Sequence, residues 1–174
     1  MFDRETRLFL HMLDYAGQLV EDVDDDDFAA QPVTGLNHPA HVLGHLAAGN
    51  YYILSLLGVP AGRGPEWLEV CYPGKVPSPR RADYPDKAEI VAAFDASNAA
   101  LLAALPGLTA EQCARPHAID YIREHLPNLG DAVAYLITTH LAVHLGQLSA
   151  WRRTMAMAPA HGGKAAGPEE VGMG

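Results

Sequence analysis

Nine histidines are many for a chain of 174 residues, and their positions are not scattered. His140 and His144 stand four apart, which on a helix puts both imidazoles on one face, a turn apart. Gln147 follows at i+3 from His144 and shares that face, as do the apolar Ile137 and Trp151. The pair is therefore expected to point inward. A buried imidazole needs partners for both ring nitrogens, and two of them need more than an apolar core offers. A metal ion satisfies both at once; the alternative is a set of hydrogen bonds to carbonyls or to a facing Tyr or Asn. A second group, His38, His41 and His45, lies at i, i+3 and i+7 and again shares one helical face. His45 is the expected third ligand, because it is deepest in its segment and flanked by Gly44, Leu46, Ala47 and Ala48. His41 is expected one turn nearer the entrance, and His38 in a solvated first turn. His11, His117, His125 and His161 have no partner at helical spacing and are read as surface or loop residues.

Three neutral imidazoles leave a divalent charge uncompensated and coordination positions open. Structural zinc sites normally close with four protein ligands, often thiolates. An open tri-histidine site would instead take water, a thiolate or a carboxylate, lower the pKa of what it binds and act as a Lewis acid. Imidazole suits zinc, nickel, copper and iron alike.

Four helical segments must position these residues. The first is expected over residues 3–23, with Phe9, Met12, Leu13, Ala16, Val20 and Val23 as its apolar stripe. The second runs from about 38 to 58, with Asn37 as a cap and Pro39 in its first turn. The third covers about 86–105, with Asp86 and Glu89 at capping-box spacing and Pro106-Gly107 as its stop. The fourth covers about 128–157. No alternating pattern suggests a strand. The fold class is therefore all-α, a four-helix bundle over residues 1–158, with long connections and atypical connectivity. The acidic run 24–27 lacks the glycine and closing glutamate of a calcium loop and reads as a solvated turn. The proline-rich stretch 59–85 cannot be a regular helix; its length permits a crossover or a cover over one end of the bundle. Residues 159–174, rich in Gly, Ala and Pro, are expected to be a disordered tail.

Charge narrows the partners. The net charge of −9, with no basic stripe, argues against nucleic acid and anionic membranes. The apolar stretches 42–57 and 132–151 carry histidine plus Asn50 or Gln147 and read as buried helices rather than membrane spans. Cys71 and Cys113 show no metal-like spacing and no disulfide framework, and the N-terminus has no apolar leader. The expected location is cytoplasmic.

The segment Ala40-His41-Val42-Leu43-Gly44-His45-Leu46-Ala47 resembles the second-helix motif of the DinB/YfiT-like superfamily. The run from His140 through His144, Gly146 and Gln147 resembles its last-helix motif, H-x-x-x-H-x-G-Q, and Trp151-Arg152-Arg153 also fits. Tyr84-Pro85, opening the third helix, matches as well. The resemblance covers roughly residues 3–157. It implies a four-helix bundle of atypical connectivity, zinc or nickel on His45, His140 and His144, and frequent homodimers. It further implies a transferase or isomerase that uses a low-molecular-weight thiol, since such enzymes are among the family's characterised members. On that reading Gln147 orients a ligand or bound water from behind the metal, and Tyr51, Tyr52 or Asn50 contacts the small-molecule substrate, the alternative for each tyrosine being core packing. Competing readings are a metal-dependent hydrolase, whose base the sequence does not identify, and a non-catalytic, metal-stabilised dimer serving stress response.

Overall fold

A computed structural model describes residues 1–160, and every regular element among them is helical. The expected tail lies, from residue 161 onward, outside the described residues. Helix α1 spans Asp3–Val20 and buries Phe9, Ala16, Leu19 and Val20 along one face. It ends a turn earlier than the apolar stripe suggests, although Val23 stays buried in the turn that follows. Helix α2 spans Pro39–Leu57 and is buried nearly all round. It stops at Gly58, whose φ of 74° is the left-handed conformation glycine adopts without a Cβ penalty. Its N-cap is not Asn37 but His38, whose Nδ1 accepts from the His41 backbone N–H at 3.3 Å.

Helix α3, Lys87–Ala104, begins as the sequence indicates: the Asp86 carboxylate caps the Glu89 N–H at 2.7 Å. Ile90, Phe94, Ser97 and Leu101 face inward. By length and composition, Lys87–Gly107 is apolar enough to cross a membrane. In the structure its inner face lies along α2 and is tied there by polar side chains. Asn50 Nδ2 donates to Asn98 Oδ1 at 2.7 Å and to Ser97 Oγ at 3.2 Å. The short helix α4, Ala110–Ala114, is held by a reciprocal capping box between Thr109 and Gln112.

The last long helix differs from the expected single rod. It consists of α5 (Leu129–Tyr135), a π-helical turn (Leu136–His140) and α6 (Leu141–Thr154). Within the turn the Thr138 hydroxyl donates to the Ala134 carbonyl at 2.6 Å. Such back-bonding loosens and bends a helix. Apolar periodicity does not register one extra residue in a turn, and π-turns recur at functional sites.

Helix α3 packs on α2, α2 on α6, and α6 with the π-turn on α1. The first helix thus packs chiefly against the last rather than against its sequence neighbour, which is the atypical connectivity. Two ties hold the last helix to α1 and to the connection that follows it. Trp151 Nε1–H donates to the Ala30 carbonyl at 2.8 Å. The buried Arg152 guanidinium reaches the Leu19 carbonyl and the Asp22 carboxylate. The proline-rich connection does cover the bundle: its 3-10 turn, Glu66–Cys71, presses onto α2. A Cβ at Gly44 would sit 2.5 Å from Cys71 Sγ, so the glycine admits this connection rather than another long helix. The acidic run is solvated except for one job. The Asp25 carboxylate pairs with Arg81 at 2.6 Å and accepts the Lys87 N–H.

Candidate metal centre

Helix α2 and the π-turn with α6 bring His45, His140 and His144 together, so that one ring nitrogen from each lies within 4.8 Å of the others. Ring centroids are 4.5 Å apart for His140 and His144, 4.6 Å for His45 and His144, and 5.3 Å for His45 and His140. Gly49, one turn beyond His45, lies beside the His140 ring; a Cβ there would meet Cε1 at 4.0 Å, an ordinary contact.

Hydrogen bonds behind the rings fix which nitrogen faces the centre. His45 Nδ1 lies 2.9 Å from the Cys71 carbonyl, an acceptor only, so Nδ1 carries the proton and Nε2 is free. His144 Nδ1 lies 3.0 Å from Gln147 Oε1. Asn37 Nδ2–H donates to the same oxygen at 2.8 Å, which sets the Gln147 amide with its oxygen toward His144. His144 therefore also presents a bare Nε2. Burial, followed by the neighbouring rings His144 and His45, pushes His140 down to about 3. Burial and then His45 push His144 down to about 4, and burial lowers His45. All three are neutral at pH 7, the form that ligates metals.

The donor set fits a cation. The bare His45 Nε2 and His140 Nε2 stand 3.3 Å apart, a spacing that a His140 proton or a shared cation can bridge. Two nitrogens bound to one tetrahedral zinc at about 2.0–2.1 Å are separated by about 3.3–3.4 Å. The cluster is thus a tri-histidine site that could hold a metal ion.

Other expected residues fall elsewhere. His41 does not line an entrance. It is buried, its ring stacked over His45 at a centroid distance of 6.3 Å, and its Nδ1 has no partner among the described residues. His38 is not solvated; it is fully buried, with Nε2 donating to the Ser78 carbonyl at 2.9 Å. Both corrections have one cause: the connection 59–85 folds over the start of α2, which the sequence leaves open. Asn50 points away from the histidines into the α2–α3 seam, because Ser97 and Asn98 satisfy its amide there. Tyr52 does face the site side. It lines a cavity of about 640 Å³ whose wall includes His45 and His140. His11 and His125 are exposed, whereas His117 is half-buried and bonded to the Leu126 carbonyl.

Three participants carry no signal in the sequence. The Cys71 carbonyl, the Asn37 amide and the cavity residue Arg63 all come from connections, where no helical period marks a shared face.

The sequence profile of the DinB superfamily matches residues 9–148, well over half of the chain, and includes all three histidines. The chain belongs to the DinB superfamily. No curated protein and no solved structure matches it.

Proposed function

We propose that the protein is a metal-dependent enzyme acting on a small thiol or a thiol conjugate, a transferase or an isomerase, with zinc or nickel on His45, His140 and His144. The observation that carries this reading is the opening of the triad: His45 and His140 form part of the wall of a cavity large enough for a small molecule. A structural zinc site would close with a fourth protein ligand, and among the described residues no Cys, Asp or Glu joins the cluster. A bound divalent ion would supply Lewis acidity and favour the thiolate, the competent nucleophile.

The chain's own residues do the rest. The Cys71 carbonyl and Gln147 hold the proton on each Nδ1, so both Nε2 lone pairs stay directed at the centre. Asn37 holds Gln147 in turn. The covering connection shields His38 and His41 from solvent and, through Gly62, Arg63, Tyr72 and Pro73, supplies part of the cavity wall. Hydrolysis needs a base to draw a proton from water, and no Asp or Glu lines this cavity among the described residues. A purely structural ion has no use for the cavity. We further propose that the chain works as a homodimer in the cytoplasm, without nucleic-acid or membrane partners.

Elemental analysis of protein purified without an affinity tag, followed by a thermal-shift screen against thiols, tests the reading. One divalent ion per chain and stabilisation by thiols are expected. Stoichiometric metal without any thiol effect would remove the thiol enzyme.

A further inference from the structure

The cavity beside the triad has a charge pattern opposite to that of the chain. Acidic residues outnumber basic ones 21 to 12 overall. Yet among the described residues no carboxylate lines the cavity, and its only formally charged side chain is Arg63. Arg63 is exposed and makes no ion pair or hydrogen bond among the described residues; Arg4, Arg7 and Arg153 are likewise exposed and unpaired, but they do not line the cavity. Its place is set by the next residue. Gly64 packs so closely on the Tyr51 ring that a Cβ would lie 2.5 Å from it, which seats the loop against the cavity wall. Apart from Ser55 and the two histidines, the remaining wall is apolar or aromatic, with Tyr52, Tyr72, Tyr121, Ile119 and Leu136.

We propose that this cavity selects an organic anion: a small molecule with an apolar or aromatic body and a carboxylate. The carboxylate pairs with Arg63, the body lies among the tyrosines, and the reacting end faces His45 and His140. This rests on the proposed function only for which end reacts. A guanidinium presents a planar fork that matches a carboxylate, and the tyrosine rings offer faces for an apolar body. An unpaired cation in a wall without carboxylates attracts anions locally even when the whole chain repels them.

The test is calorimetric titration of zinc-loaded protein with two pairs of probes. One pair is 4-mercaptobenzoate and 4-mercaptobenzamide; the other, lacking the thiol, is 2-naphthoate and 2-naphthamide. Wild type should prefer the carboxylate in each pair by about two- to fivefold, the range of a partly screened ion pair. Arg63→Gln should abolish the preference, and Arg63→Lys should keep part of it. Arg63 is exposed, so neither change threatens the fold. Equal affinity within each pair in wild type overturns the proposal, as does failure of every probe to bind. So does a preference that survives Arg63→Gln, which would put the carboxylate on the metal. A carboxylate preference without any advantage for the thiol pair would remove the thiol reading and leave Arg63 standing.

Discussion

His45 and Asn50 lie five residues apart on α2, and each joins a buried polar cluster with another helix. The Asn50 cluster is self-sufficient. Its amide donates to Ser97 and Asn98, and those two side chains donate to the Phe94 carbonyl at 2.8 Å each. The His45 cluster is not. Two of its rings are held from behind by Cys71 and Gln147, and the nitrogens left over converge with at most the one His140 proton among them. A satisfied buried network specifies how two helices pack, whereas a converging set of lone pairs asks for a cation from outside. The two clusters lie on the same helix; the direction of the donors separates them.

The largest effect should come from removing a nitrogen from the second cluster. His140→Ala or His144→Ala should lower metal affinity more than a hundredfold, beyond the roughly 10–100-fold typical of residues behind the ligands. Competition with a chromogenic chelator measures it. Addition of metal should raise the melting temperature of wild type but not of these variants. Retained affinity in His144→Ala would mean that the ion sits elsewhere.

Gln147→Ala should follow, with a loss of roughly 10–100-fold in metal affinity, because His144 then loses the acceptor that fixes its tautomer. Gln147→Glu should restore much of it, since a carboxylate also accepts the Nδ1 proton. Loss in both variants alike would point to packing rather than orientation.

Asn50→Ala sharpens the contrast from the other side. It should destabilise the fold by about 1–3 kcal/mol, since Asn98 Oδ1 is left buried without its donor. Metal affinity should stay unchanged. Denaturant unfolding and the same chelator assay separate the two, and a fall in metal affinity would show that the clusters are coupled.

The same contrast explains what could be read from the sequence. The long helices and their inward faces follow from apolar period, and the Asp86 cap from its spacing to Glu89. The triad is legible because His140 and His144 repeat at one helical turn, and because His45 lies deep in a segment of small apolar residues. What stays hidden depends on the connections. Nothing in Asn37 announces that it reaches Gln147, 110 residues away, and nothing in His38 or His41 announces the cover that buries them. The π-turn is hidden for another reason: helical period averages over a whole segment and does not register a single widened turn.

A third buried polar group tests the rule with a charge. Arg152, its side chain only 4% exposed, resembles the Asn50 cluster in being satisfied from within, but its partner Asp22 is half in solvent. The hydrogen bond from Arg152 holds the Asp22 carboxyl below the ordinary aspartate value against burial, the next-largest effect, and the Arg152 charge adds to the lowering. A carboxyl lowered on folding stabilises the folded state above its unfolded value, near 3.9, and loses that contribution as pH falls through and below it. Stability measured by denaturant unfolding between pH 5 and pH 3 should therefore fall less steeply in Asp22→Asn than in wild type. Acid also protonates the histidines, but both proteins share that effect and the difference between them cancels it. The variant should start from lower stability near pH 7, because asparagine leaves the buried guanidinium without its countercharge. Parallel pH curves would show that the Leu19 and Ala158 carbonyls alone satisfy Arg152, and that the seam between α1 and α6 needs no charge at all.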